Sequence, residues 1–207
     1  MDVALGFRPH SGWAAAVAVA GRPATAIVVD RRRIALSDLP PPVQPYHEAA
    51  GLDPDAAAAL VAEASEAACR WAAAEVSGLV DGLGAGGYEV VAAGIASGPG
   101  SVREDLPLAR TLAAHGTLHA AEGELYRDAL ADAAAAQGLP VALLPPREAT
   151  AVGRRLFGCG EGELRTRLTE LGRPVGPPWT RDHKDAAVAA LLAAEPALAS
   201  SPIRDRR

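Results

Sequence analysis

The chain opens on two short apolar runs, Val3 to Phe7 and Trp13 to Ala20, separated by Pro9-His10-Ser11-Gly12. Apolar stretches of strand length broken by Pro, Ser and Gly predict a β-hairpin. Gly21-Arg22-Pro23 makes the next turn, and Ala24 to Val29 supplies a third strand with β-branched character. Asp30 to Arg33 breaks that strand, and Ile34-Ala35-Leu36 continues it. The segment Leu39-Pro40-Pro41-Pro42-Val43-Gln44-Pro45 has too few amides for a ladder and no place in a helix interior, so it reads as a surface connector.

Helical spacing begins at Asp53-Pro54-Asp55. Asp53 suits the N-cap, and Pro54 at the first helical position gives up an amide that would have no partner anyway. Leu60, Ala64, Ala67, Trp71 and Ala74 fall on one stripe, and the helix ends among the glycines of 82–87. Tyr88 to Ala96 is nearly continuous in apolar residues, the pattern of a central strand covered on both faces. Ser97-Gly98-Pro99-Gly100-Ser101 is a loop. Glu104 to Gln137 is mostly helical, with Gly116 and Gly123, each costing about 1 kcal/mol against alanine, as the expected kinks or breaks. A short strand at Val141–Leu144, helices at Arg147–Phe157 and Glu161–Leu171, and a loop at Val175–Trp179 follow. Thr180 then caps an alanine-rich final helix. No repeat or domain boundary interrupts this order. The expectation is a single domain over 1–198 with a short, flexible basic tail at 199–207.

Length and composition fit that picture. At 207 residues the chain can bury one proper core, and its apolar content of 49% with only 4% aromatics points to alanine-rich helices packed closely on a sheet. A net charge of −5 counts against tight nucleic-acid binding, whose affinity comes largely from Lys and Arg meeting phosphates. Arg31-Arg32-Arg33 and Arg154-Arg155 are local exceptions, read as a solvated hairpin tip or as a basic patch. Cys69 and Cys159 have no CxxC spacing, which disfavours a disulfide framework or a thiolate zinc site. Cys69 is expected to be a small core residue. No window reaches the ~20 uncharged apolar residues needed to span a bilayer, and no secretory leader is legible, so a cytoplasmic protein is expected.

Three strands, then helix, strand, helix, strand and a terminal helix resembles the ribonuclease H-like fold, most closely the RuvC-type Holliday-junction resolvases. The expected architecture is a mixed five-stranded sheet flanked by helices, with three antiparallel N-terminal strands and two further strands alternating with helices. In that family, acids on the first strand, on a central strand and at the start of the last helix converge on divalent metal. The first strand carries Gly-hydrophobic-Asp, and here the matching residues are Gly6-Phe7-Arg8. The central strand ends in Glu, and here that place holds Gly94-Ile95-Ala96. The last helix opens Asp-Ala-Ala-Asp, and here Asp185-Ala186-Ala187-Val188 keeps the first acid alone. Two-metal phosphodiester cleavage needs several carboxylates holding cations about 3.5–4 Å apart. Asp185, helped by Asp182, leaves one anchoring point beside a cationic Arg8, and an Arg8–Asp185 ion pair is expected in place of metal. Alternatively, Arg8 grips a phosphate with its planar fork.

Two further groupings carry chemistry. His115, His119 and Glu122 at i, i+4 and i+7 share one helix face, a spacing that suits zinc or manganese, with His10, His47 and His183 as candidate fourth ligands. The alternative is an ordinary polar face in which the histidines pair with Glu122 and Glu124. The Gly-Pro-Gly-Ser run of Ser97–Ser101 is similar to a loop in the accessory subunit of the tRNA threonylcarbamoyladenosine machinery. Its amides could hold a phosphate, or it is a plain turn.

Three functions remain open on these residues. The first is a RuvC-like protein without the usual nuclease activity, acting as an interaction or nucleic-acid-associated module and forming a homodimer. The homodimer follows from the family and from the apolar face of the 53–82 helix. The second is a metal-dependent nuclease rebuilt on Asp185, Asp182 and Glu122 or Glu124. The third is a small anionic-ligand binder using Arg8, His10, Ser97 and Ser101. No cofactor is expected, with Mg²⁺ or Mn²⁺ entering only with the nuclease, and no membrane partner is expected.

Overall fold

Alternation within the first strand decides how the protein is layered. The computed structural model describes residues 1–38, 41–98, 100 and 106–200, with side chains to Glu195. Strand β1 (Asp2–His10) sends Val3, Leu5 and Phe7 into one core, whereas Ala4 faces a second core on the opposite side. Strand β2 (Trp13–Ala20) divides the same way, with Ala14, Ala16 and Ala18 in the first core and Val17 and Val19 in the second. Strand β3 (Ile27–Ala35) follows a short 3₁₀ turn at Pro23–Thr25. The β1–β2 and β2–β3 pairs are antiparallel. Strand β4 (Glu89–Ile95) adds parallel to β1, and β5 (Val141–Leu143) adds parallel to β4. The order β3-β2-β1-β4-β5 is the mixed sheet expected from the sequence.

Two helical layers cover it. On one face lie α2 (Pro54–Ala85) and α4 (His115–Ala136), which supply Ala68, Ala72, Val76, Leu79 and Leu83, and Leu125, Tyr126 and Leu130. A single turn, α1 (Pro45–Ala49), precedes α2, and another, α3 (Leu108–Leu112), precedes α4. On the other face lies α7 (Arg181–Ser200), flanked by α5 (Ala149–Phe157) and α6 (Glu161–Leu171). Residues 201–207, most of the expected tail, lie outside the described residues. Among the described residues no helix is long and apolar enough to cross a membrane.

Several local expectations need correcting. The arginine run does not interrupt β3. Arg31, Arg32 and Arg33 pair with Val17, Ala16 and Ala15, and the irregularity is a bulge opposite Ala18/Val19. The buried stripe of α2 is Ala57, Ala64, Ala67, Ala68, Ala72, Val76, Leu79 and Leu83, which keeps Ala64 and Ala67 of the expected stripe but not Leu60, Trp71 and Ala74, and it leaves Cys69 exposed. In an alanine-rich helix many residues are small enough to face either way, so composition leaves the stripe ambiguous. The helix expected across 104–137 breaks at Ala113–Ala114 rather than at a glycine. Gly116 and Gly123 both sit within α4, with open space where a side chain would project. Asp53 behaves as expected: its Oδ1 accepts from the Ala56 amide at 3.1 Å.

The seat of α7 depends on two glycines. Gly6 and Gly94 are register partners on the adjacent central strands. A Cβ on Gly6 would overlap the Ala186 carbonyl, and one on Gly94 would overlap that of Ala189. Facing them are Ala186, Ala189 and Ala190, all fully buried. The helix backbone therefore rests on strand backbone with almost no side chain between. Gly94→Ala must push α7 off the sheet, and overpacking of this kind typically costs about 1–3 kcal/mol and occasionally more. Urea denaturation of Gly94→Ala is expected to show a loss in that range, whereas Gly123→Ala, with open space inside α4, should gain up to about 1 kcal/mol in the same assay.

Candidate functional site

Close seating of α7 brings its first turn to the C-terminal ends of β1 and β4. Arg8 shares the parity of Ala4 and Gly6 and so projects on the α7 side. Its Nη1 donates to the Ala96 carbonyl at 2.8 Å, bridging the ends of the two central strands. Its Nε lies 4.0 Å from Asp182 Oδ1, beyond hydrogen-bond distance. His10 Nε2 lies 3.3 Å from Asp182 Oδ2. Arg8 Nε and His10 Nε2 are both buried, and neither makes a hydrogen bond. Asp182 thus sits between two cationic or potentially cationic groups from β1.

Asp185 does not pair directly with Arg8 as expected. Its close partner is Arg181, one helical turn earlier, with Nε 3.6 Å from Oδ2. The Asp185 side chain is largely buried, and that burial raises its pKa; Arg181 and Arg8 pull it back down, and Asp182 adds to the rise. The helix start itself is held by His183, whose Nδ1 accepts from the Thr180 amide at 3.1 Å and lies 2.9 Å from the Thr180 hydroxyl. Burial, and then the positive Arg31, lower the His183 pKa against the opposing pull of Asp182.

A stacked row across three strands completes this end of the sheet, and sequence reasoning missed it. The His10 ring lies on Trp13 at 4.2 Å and 9°. The Arg33 guanidinium covers the Trp13 ring at 4.5 Å. Strand parity was the available signal, since His10, Trp13 and Arg33 project from the same face once the register is known. The arginine run is accordingly neither a hairpin tip nor a free basic patch. Arg31 donates to the carbonyls of Val175, Pro177 and Pro178 and so ties the loop before α7 to β3, while Arg32 pairs with Asp30.

The loop after β4 is fixed at its start. The Ser97 amide donates to Ile95 at 2.8 Å, and Gly98 accepts from Arg127 at 3.2 Å. Arg8 on Ala96 places Ser97 beside the site, whereas Ser101 lies outside the described residues.

The histidines of α4 form a separate cluster. His115 and His119 meet through their Nε2 atoms at 2.8 Å, and His47 from α1 joins them, its ring centroid 4.6 Å from that of His119. Glu122 is not the third member of that meeting point. Its buried carboxylate accepts His47 Nδ1 at 2.7 Å, and its second oxygen is buried without a hydrogen-bond partner. Burial raises the Glu122 pKa, against the opposing pull of His47. His119 and Glu122 also line a cavity of about 200 Å³ together with Pro9, His10 and Ser11. Tyr126 on the same wall donates to the Val43 carbonyl at 2.8 Å, and burial pushes its hydroxyl up to about 12.

Sheet order, crossover helices and a final helix starting beside the ends of β1 and β4 define a ribonuclease H-like α/β fold. Among solved structures it is of the RuvC type. The chain is similar to T. thermophilus RuvC in complex with a Holliday junction substrate, with a TM-score of 0.55, 16% identity and 97% of each chain covered. It is also similar to a second Thermus thermophilus RuvC structure, with a TM-score of 0.52, 15% identity and 91% of each chain covered. No protein-family model and no curated protein matches the sequence.

Asp185 sets a pH dependence that can be measured. A carboxyl raised above its ordinary 3.8 contributes stability that is fully present below that value and is lost as pH rises through the folded-state pKa. At pH 7 its charge is a liability, so Asp185→Asn is expected to equal or exceed wild-type stability there, by no more than about 1 kcal/mol. Denaturation curves from pH 4 to 7 check this: the advantage of the variant should shrink towards the acid end.

Proposed function

We propose that this protein is a RuvC-like module that does not cleave nucleic acid and acts through binding, as a homodimer, with a protein or nucleic-acid partner. The observation that carries the reading is Arg8. A guanidinium stands at the end of β1, where the resemblance implies a metal-binding aspartate, and its hydrogen bond to Ala96 spans to the place where the resemblance implies glutamate. The carboxylates that remain nearby, Asp182 and Asp185, are matched by Arg8, His10 and Arg181. This donor set does not fit a pair of divalent cations. Magnesium gives up its water reluctantly and needs uncompensated oxygen ligands, and here fixed positive charge already faces the acids. Glu122, one of the two acids on which a rebuilt site could draw beside Glu124, is engaged by His47.

A second reading has its own observation. Buried Arg8 Nε and His10 Nε2, both without hydrogen bonds, suit a small anion or a backbone phosphate approaching beside Ser97. With a net charge of −5, any nucleic-acid binding by this route should be local and sensitive to salt.

Incubation with labelled four-way junctions, duplex DNA, single strands and RNA–DNA hybrid, in Mg²⁺ and in Mn²⁺, tests the first reading. No cleavage is expected from the wild-type protein. Cleavage that disappears in Asp185→Asn would overturn it. Gel shifts on the same substrates test the second reading, where Arg8→Gln should weaken any complex and added phosphate should compete with it. Light scattering tests the homodimer, which should show twice the 21.1 kDa chain mass.

A further inference from the structure

We propose that His47, His115 and His119 form a binding site for one divalent transition-metal ion, with zinc as the best fit, and that Glu122 orients His47 as a carboxylate behind it. The site is separate from Arg8, Asp182 and Asp185 and does not depend on whether the protein cleaves nucleic acid.

The geometry meets each requirement of such a site. One nitrogen from each of the three rings lies within 4.8 Å of the others. Zinc–imidazole bonds of 2.0–2.1 Å place tetrahedral nitrogens about 3.4 Å apart, so modest ring rotations bring the three into register. His115 and His119 are spaced i, i+4 over the first two turns of α4, which presents two imidazoles on one helix face as helical zinc sites do. Their Nε2 atoms already converge at 2.8 Å. The third ring comes from a different element. The one-turn α1 is held close by Tyr126, whose hydroxyl anchors Val43 two residues before that turn begins.

Glu122 is the observation that separates this from an ordinary polar face. A carboxylate on His47 Nδ1 fixes the tautomer, leaving Nε2 of the same ring with a lone pair for a metal, and it raises the basicity of that nitrogen. Burying a carboxylate is costly, and here the His47 ring, together with the Tyr46 and His47 amides of α1, offsets that cost. That arrangement is expected where the histidine must be held in one orientation. Three neutral imidazoles with no carboxylate in direct contact select zinc, nickel or copper over magnesium and calcium. Three protein ligands also leave a fourth position for water or a small ligand. His119 and Glu122 border the cavity shared with Pro9, His10 and Ser11, which gives such a ligand room.

The test uses full-length protein stripped with chelator and titrated with ZnCl₂ against a chromophoric competitor, and with CoCl₂ followed by visible absorption. One equivalent of zinc per chain is expected, with cobalt giving the intense d–d bands of a tetrahedral site and zinc raising Tm. His119→Ala and His47→Ala should each abolish stoichiometric binding. Glu122→Gln, which keeps the side-chain shape, should weaken it about 10–100-fold. His183→Asn should bind as wild type. His115 and His119 are exposed, so circular dichroism of the His119→Ala variant should be unchanged. Absence of binding at micromolar zinc, or binding that survives both His47→Ala and His119→Ala, would overturn the site and leave a histidine–histidine hydrogen bond in its place.

Discussion

Backbone contact between α7 and the two central strands is the constraint on which the candidate site depends. Gly6 and Gly94 leave no side chain between the central strands and α7 at that level, and Ala186, Ala189 and Ala190 leave almost none on the helix. The strand ends and the first helical turn are consequently held close, with Asp182 3.3 Å from His10 and 4.0 Å from Arg8. Arg31 reinforces the arrangement from the side by holding the loop before α7 through three carbonyls. Interiors packed to this density respond poorly to added atoms, so the chemistry at the strand ends is tied to a feature of the core that carries no functional group itself.

Two kinds of chemistry occupy opposite sides of one cavity region. At the strand ends, fixed cations compensate the acids and favour binding of anions over binding of metal. Under α1, three imidazoles converge with a carboxylate behind one of them and favour a transition-metal cation. His10 belongs to both neighbourhoods: it approaches Asp182 through Nε2 and lines the cavity with His119. A metal ion bound by the histidines would add positive charge at the same end of the sheet as Arg8 and so deepen the preference for anions there.

The strand pattern made most of the fold legible in the sequence. The apolar runs at Val3–Phe7, Trp13–Ala20 and Tyr88–Ala96 mark the strands, and Asp53-Pro54 marks a helix start that the hydrogen bonds confirm. What was less legible depends on pairing across long sequence separations. Arg31, Arg32 and Arg33 look like a strand breaker in isolation, yet Arg31 reaches the carbonyls of the loop before α7 and Arg33 covers Trp13, with Arg32 paired locally to Asp30. The stripe on α2 was partly misplaced because alanine marks neither core nor surface strongly. For the site, the spacing of His115, His119 and Glu122 pointed to the right helix. The exchange of roles between Glu122 and His47 could not be read, since it depends on where the proline-rich connector leads the chain.

The central claim is that a guanidinium stands where the resemblance would have a divalent cation. Paramagnetic broadening of backbone amide signals on adding Mn²⁺ to ¹⁵N-labelled wild-type protein tests it most directly, because the effect reports where the ion sits as well as whether it binds. The account predicts that any broadening is centred on His47 and the start of α4, fades towards Arg181 to Ala186, and vanishes in His119→Ala. Broadening centred on the first turn of α7 and the end of β1 would contradict it and show that a reduced set of acids still holds metal.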